Sequence, residues 1–198
     1  MVIGSVRVAD GCRSCPSDLS ERPGGLPSGV RCGGGVTSLL VALENDTQAP
    51  DFDLANQYGE HVRLSDFRGV RPVALVFFPL AFSSTCTGEL CELRDNLNIF
   101  KEHGVELIGI SVDSKAALRA WAEQEGYDFT LLADFWPHGA VAKEYGVFLD
   151  DKGYANRATF VIDTKGVIRA SFITAPGQAR SLEEYTAAVA ELLEPAGV

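Results

Sequence analysis

The sequence predicts a three-layer α/β sandwich around a mixed β-sheet, and three observations carry that reading. Short apolar runs rich in β-branched and aromatic residues alternate with stretches whose apolar residues return every three or four positions, the pattern of strands connected by helices. Near the C-terminal end, Thr159 to Ile162 and Val167 to Ile173 flank Asp163-Thr164-Lys165-Gly166, a hairpin signal that brings antiparallel strands into the sheet. A length of 198 residues with 46% hydrophobic content is enough for one substantial core.

Residues 1–48 differ from the rest, with Gly24-Gly25, Gly33-Gly34-Gly35 and three prolines but no sustained period. They are expected to form a disordered extension, leaving 49–198 as the folded domain. Cys12, Cys15 and Cys32 fall in this segment, and three thiols without a fourth ligand make a poor structural zinc site, so no metal or other cofactor is expected. No cleavable leader is recognisable, and a true start near Val41 would equally account for the segment's composition.

From Ala49 onward, Phe52 and Leu54, then Val62 and Leu64, predict a hairpin across Gln57-Tyr58-Gly59, followed by a turn or helical hook over Leu64 to Gly69. Val73 to Phe78 reads as a buried strand ending at Pro79. Leu90, Leu93, Leu97 and Phe100 predict a helix beginning near Cys86 and ending near His103-Gly104, where glycine suits a C-cap. Glu106 to Val112 is a second buried strand, Ser114 to Glu125 a helix stopped by Gly126, Phe129 to Leu132 a strand and Gly139 to Tyr145 a short helix. Ser181-Leu182-Glu183-Glu184 has capping-box spacing for a last helix, Leu182 to Leu193.

A net charge of −10 argues against nucleic acid or an anionic membrane as partner, and no apolar run approaches bilayer-spanning length. Five cysteines without the dense spacing of a secreted disulfide scaffold point to a reducing compartment, hence a cytoplasmic protein with reactive thiols. The most informative of them is Cys86. A helix start gathers unpaired backbone N–H groups and the positive end of the macrodipole, which favours a thiolate and so a nucleophile.

Pro79-x3-Ser83-x2-Cys86 resembles the P-x3-[ST]-x2-C signature of peroxiredoxins, and Val76-Phe77-Phe78-Pro79-Leu80-Ala81-Phe82-Ser83-Ser84-Thr85-Cys86 is similar to the AhpE type of that family. Further ordered matches are Phe135-Trp136-Pro137-His138-Gly139-Ala140, Tyr145-Gly146-Val147-Phe148 and Ala155-Asn156-Arg157-Ala158-Thr159-Phe160, so the resemblance runs from about 49 to 195. Ser83 stands where threonine is commoner. The resemblance implies a thioredoxin-like fold with an N-terminal β-hairpin and a thiol-specific peroxidase acting on hydrogen peroxide and organic hydroperoxides. Cys86 would be the peroxidatic cysteine, cycling through sulfenic acid, the first and reversible step of thiol oxidation.

By the same resemblance Arg157 would stabilise the thiolate, Ser83 would hydrogen-bond peroxide and thiolate, and Pro79 would shield the sulfur; otherwise they are a strand-edge arginine and ordinary turn residues. Glu89 suits the first helical turn electrostatically and could also orient Arg157. Cys91 departs from the one-cysteine AhpE pattern. Cys86-x4-Cys91 resembles the same-helix resolving pair of Q-type peroxiredoxins, against which stands a small inert core cysteine. Trp136 and His138 belong to a loop; His138 could be read as a general base, but a thiolate already formed needs none, so it is assigned to packing. The implied partners are a thiol reductant, either thioredoxin or mycoredoxin with a low-molecular-weight thiol, and a second copy of the chain in a homodimer. Other classes are a non-enzymatic redox sensor or holdase, and a thiol-disulfide oxidoreductase, which would want Cys-x-x-Cys rather than Cys86-Thr87-Gly88-Glu89.

Overall fold

The computed structural model describes residues 42–192. Among the described residues, nine strands and five helices follow one another as β1 (Asp53–Asn56), β2 (His61–Arg63), a 3-10 turn (Leu64–Phe67), β3 (Val73–Phe77), α1 (Ser84–Asp95), α2 (Asn98–Lys101), β4 (Glu106–Ser111), α3 (Lys115–Glu125), β5 (Thr130–Ala133), α4 (Ala140–Glu144), β6 (Phe148–Leu149), β7 (Tyr154–Ala155), β8 (Arg157–Ile162), β9 (Ile168–Thr174) and α5 (Leu182–Ala190). Seven strands form one mixed sheet in the order β2-β1-β5-β4-β3-β8-β9, and β6 with β7 makes a separate small hairpin.

The centre of the sheet explains the apolar run at its start. β3 is parallel to β4 on one side and antiparallel to β8 on the other, and all five of its residues are buried. A strand covered on both faces reads as continuous apolar sequence rather than alternation. Val73, Leu75 and Phe77 join Ile108, Ile110, Phe160, Val141, Tyr145 and Phe148 on one face, which α4 and the β6–β7 hairpin cover. Ala74, Val76 and Phe78 face the other way, toward Cys86, Leu90 and Leu93 of α1, Phe100 of α2, Leu118 and Trp121 of α3, and Tyr185 and Val189 of α5. This is the expected three-layer sandwich. A glycine serves the second layer at one point: a Cβ on Gly109 of β4 would lie 2.7 Å from Leu131 Cδ2 and 3.2 Å from the Phe78 ring, so only a bare backbone lets those side chains pack there.

The hairpin, hook, strands, α3 and α5 lie within a few residues of their expected bounds. Ser114 caps α3 by accepting from the Ala117 N–H at 3.3 Å, Gly126 closes it in the left-handed conformation (φ 70°), and Ser181 with Glu184 completes the capping box of α5.

Two expectations need correction. The helix running from Cys86 to Gly104 is two helices, because Asn96 turns its side chain back on Glu92 O at 2.8 Å and leaves helical geometry (φ −119°, ψ 27°). The β6–β7 hairpin went unread because each strand has two residues, too few for a period. In the loop before α4, His138 bonds Gly153 O at 2.7 Å and meets the Phe148 ring edge-on, while Trp136 is 80% exposed. The domain also begins before residue 49. Asp46 N–H donates to Ile168 O at 2.7 Å, Ile168 N–H to Thr47 O at 2.9 Å, and Ala42 and Leu43 pack on the core. Residues 1–41, with Cys12, Cys15 and Cys32, lie outside the described residues.

Candidate active site

Cys86 occupies the third position of α1 and is fully buried. The helix starts where it does because Ser83 is its N-cap: the Ser83 backbone is extended (φ −71°, ψ 140°) and its Oγ accepts from the Cys86 N–H at 3.3 Å. The loop from β3 to that cap contains buried Pro79, exposed Leu80, half-buried Ala81 and Phe82 at φ 61°. A left-handed phenylalanine costs roughly 1–2 kcal/mol and persists only where its surroundings hold it. Here the Ala81 N–H donates to Asp113 Oδ2 at 2.7 Å, and the Phe82 ring lies 6.1 Å from that of Trp121.

Arg157 reaches Cys86 through the sheet. It opens β8, whose antiparallel register with β3 sets Ala158 opposite Phe77, so Arg157 lies just beyond the end of β3, beside the loop leading to α1. Its Nη2 donates to Cys86 Sγ at 3.0 Å, its Nε to Pro176 O at 2.8 Å and its Nη1 to Glu89 Oε2. The planar fork thus has a partner in each direction, an arrangement a lysine ammonium cannot copy. The strand-edge alternative is excluded, since the side chain is 1% exposed.

Glu89 lies one turn beyond Cys86 and so outside the first turn of α1, where it was expected, because Ser83 caps the helix ahead of Cys86; it is buried with two arginines. Its Oε1 accepts from Arg180 Nε at 2.5 Å, from the Arg180 N–H at 3.2 Å and from Tyr185 OH at 3.3 Å. Arg180 Nη1 also donates to Thr159 Oγ1 at 3.0 Å. Burial works against charge on Glu89, but the Arg180 and Arg157 guanidinium groups outweigh it and hold the carboxyl below the ordinary glutamate range. Two guanidinium groups against one carboxylate leave an excess of positive charge beside the sulfur, the polarity that an anionic sulfur requires.

Cys91 is elsewhere. Its Sγ lies 3.6 Å from Glu125 Oε2 and 3.6 Å from Tyr127 OH, against the C-terminal end of α3, and both Cys86 and Cys91 are free thiols. Burial and the contact with Cys91 push the Tyr127 phenol above its ordinary range. The structure thus gathers Pro79, Ser83, Cys86, Glu89 and Arg157 and sets Cys91 apart. Arg180, Thr159, Tyr185 and Asp113 were not foreseen. Only Arg180 left a trace, as a charged residue directly before the Ser181 capping box.

Around this buried cysteine and arginine, the chain as a whole resembles known proteins. The signature of the AhpC/TSA family spans residues 46–171. The chain belongs to the AhpC/TSA family. It is a peroxiredoxin, a thiol-dependent peroxidase, of the AhpE and Bcp type. Over 144 residues it is 47% identical to alkyl hydroperoxide reductase E of Mycobacterium tuberculosis, covering 73% of this chain and 94% of that one. Peroxiredoxin Bcp of Escherichia coli is 39% identical over 131 residues, 63% of this chain and 81% of that one. Among solved structures, peroxidoxin BcpB from Mycobacterium tuberculosis superposes with a TM-score of 0.67 at 31% identity, covering 76% of this chain and 97% of that one. The reduced 2-Cys peroxiredoxin of Plasmodium vivax gives 0.66 at 30% identity over 74% and 80%. The thioredoxin-like fold follows for this peroxiredoxin.

Proposed function

We propose that Cys86 is the peroxidatic residue of this peroxiredoxin, reducing hydrogen peroxide and organic hydroperoxides. The observation that carries the reading is the 3.0 Å contact from Arg157 Nη2 to Cys86 Sγ at a capped helix start. The sulfur attacks one peroxide oxygen and the O–O bond breaks. Sulfur is oxidised to sulfenic acid, and the other oxygen leaves as water or an alcohol after taking up a proton. Arg157 supports both the anionic sulfur and the charge that develops on the peroxide oxygens. Ser83 offers its hydroxyl to the bound peroxide, Pro79 walls the sulfur from water, and Glu89 aims Arg157.

Cys91 then resolves the intermediate: its thiol displaces water from the Cys86 sulfenic acid and forms a disulfide. Two electrons from thioredoxin, or from mycoredoxin with a low-molecular-weight thiol, restore both thiols. The setting is the cytoplasm, and the working unit is a homodimer, to which Phe135 and Trp136, 54% and 80% exposed, offer an apolar surface. Mass spectrometry after one equivalent of peroxide tests the chemistry. Oxygen or a disulfide at Cys86, with catalytic peroxide loss in the presence of a thiol donor, is expected. An unmodified Cys86 would remove the assignment of the cysteine, and stoichiometric consumption that stops after one event would give the site to a sensor instead.

A further inference from the structure

We infer that Asp113 is a positioning residue for peroxide reduction, setting the geometry of the loop from Pro79 to Ser83 through its bond to the Ala81 N–H. The inference rests on the assignment of Cys86 as the peroxidatic cysteine.

Phe82 is the strained point of this loop. Its left-handed φ of 61° is the dihedral that relates Pro79, upstream of it, to Ser83 and the start of α1, downstream. Relaxing that angle toward the ordinary negative region would swing Pro79 against Ser83 and Cys86, so the enclosure of the sulfur depends on an angle that phenylalanine does not favour by itself. The loop supplies little of its own restraint, since Leu80 and Phe82 are 39% and 50% exposed. Besides the approach of the Phe82 ring to Trp121, the external hold is a hydrogen bond to Asp113, two residues past the end of β4. One carboxylate oxygen, Oδ2, accepts from the Ala81 N–H at 2.7 Å and from Ser111 Oγ at 2.8 Å, and Ser111 is itself buried with its Oγ accepting from the Asp113 N–H at 3.3 Å. The carboxylate is thus aimed by a buried hydroxyl on a central strand and holds the residue directly preceding Phe82. A rigid sheet thereby fixes a strained loop, the kind of support that reactive geometry needs when tolerances are tenths of an ångström.

Positioning of this kind should affect peroxide more than other electrophiles. Peroxide reduction needs Cys86, Ser83 and Arg157 aligned on one O–O bond, whereas alkylation by iodoacetamide needs only a reachable sulfur. The test measures both second-order rates at Cys86, by stopped-flow sulfenic acid formation and by mass-spectrometric alkylation, on the full-length protein. Asp113→Ala is expected to lower the peroxide rate at least tenfold with the alkylation rate changed less than threefold. Asp113→Asn, which keeps an acceptor for Ala81, should stay within about threefold of wild type for both.

Adding Phe82→Asn to Asp113→Ala should recover a large part of the peroxide rate, because asparagine enters the left-handed region far more readily. Equal losses in both rates, or a double variant no faster than Asp113→Ala alone, would overturn the inference. Should Asp113→Ala not fold, Ser111→Ala removes the hydroxyl that aims the carboxylate and must show the same selective loss, smaller in size; a selective loss supports the inference and its absence refutes it. Peroxide that fails to oxidise Cys86 in the wild type would instead remove the assignment of the cysteine, a result separable from any ratio among variants.

Discussion

Arg180 holds Glu89 with two donors on a single oxygen, its Nε at 2.5 Å and its backbone N–H at 3.2 Å, both on Oε1. Both side chains are buried, so breaking this pair from one side leaves an uncompensated charge, at a cost of about 3–5 kcal/mol. Arg180→Ala is expected to lower thermal stability by that order. It should also slow peroxide reduction through Glu89 and Arg157 rather than by contact with the substrate, and chemical denaturation alongside stopped-flow oxidation would measure both. An unchanged oxidation rate in a destabilised protein would leave Arg180 a purely structural residue.

The same cluster sets an acid limit. Glu89 is held below the ordinary glutamate range in the folded protein, so its ionised form contributes stability that is fully present above the unfolded value of about 4.3 and is lost as pH falls through the lower folded value. Wild type should therefore lose stability steeply below about pH 4. Glu89→Gln should be less stable at pH 7 and show a flatter decline in acid. Parallel urea midpoints for the two proteins across the acid range would show this interpretation of Glu89 to be wrong.

Arg157 should tolerate no replacement. Arg157→Lys retains the charge but cannot serve Cys86, Glu89 and the Pro176 carbonyl together, so both Arg157→Lys and Arg157→Ala are expected to lower the peroxide rate by on the order of a hundredfold, the usual cost of one preorganised donor. Cys86→Ser should abolish turnover with the fold intact. Residual peroxidase activity above a tenth of wild type in that variant would move the chemistry to another residue.

The two thiols cannot join without a change of shape. Five helical residues advance the chain ~7.5 Å and turn it by roughly 140°, which places their Cα atoms on the order of 8 to 9 Å apart, and a disulfide needs them within about 7 Å. The contacts agree, with Cys86 turned to Arg157 and Cys91 to Glu125 and Tyr127. The first turns of α1 must therefore open around exposed Gly88, a poor helix former. Peroxide should yield a Cys86–Cys91 disulfide, and Cys91→Ser should accumulate sulfenic and then sulfinic acid at Cys86. Normal thioredoxin-linked turnover by Cys91→Ser would make this a one-cysteine enzyme.

Residues 42–48 should contribute to stability. Removing residues 1–48 forfeits the Asp46 and Thr47 bonds to Ile168, the bond of Arg169 to Asp46 and the packing of Ala42 and Leu43, whereas removing residues 1–41 spares them. The longer deletion is expected to be less stable than the shorter by about 2 kcal/mol or more, summing modest hydrogen-bond and burial terms. Calorimetry on the two truncated proteins provides the comparison.

The fold was legible in the sequence where a period or a cap marked it: the apolar run of β3, the α3 stripe ended by Gly126 and the Ser181 capping box are local signals, and their elements lie close to where those signals put them. Cys86 was legible for the same reason, because it stands at a helix start, whereas Ser83 and Pro79 took their roles from the family pattern. Arg157 came only through the family pattern, because nothing near it in the chain announces that β8 will lie beside β3. The boundary at Asn96 and the anchoring of residues 42–48 depend on where a side chain or a neighbouring strand supplies partners. Arg180, Tyr185 and Asp113 meet the site from separate parts of the chain, and ordinary charged or aromatic residues in ordinary sequence carry no mark of the company they will keep.

The pairing of β8 with β3 makes the arrival of Arg157 at the sulfur a matter of parity. Side chains alternate between faces along β8: Ala158, Phe160 and Ile162 join the core layer beneath α4, and Arg157, Thr159 and Val161 take the layer of α1 and α5. A one-residue slip of β8 would send the guanidinium through the sheet to the wrong layer, and a two-residue slip would keep the layer but move it by ~7 Å, beyond reach of Cys86. Length changes in the turn between Leu149 and Tyr154 are therefore harmless only if absorbed before Asn156, whose N–H is fastened to Val147 O at 2.7 Å. That fastening insulates the count of residues in β8 from variation upstream, so the connecting turn can drift in length over evolution while the site keeps its alignment.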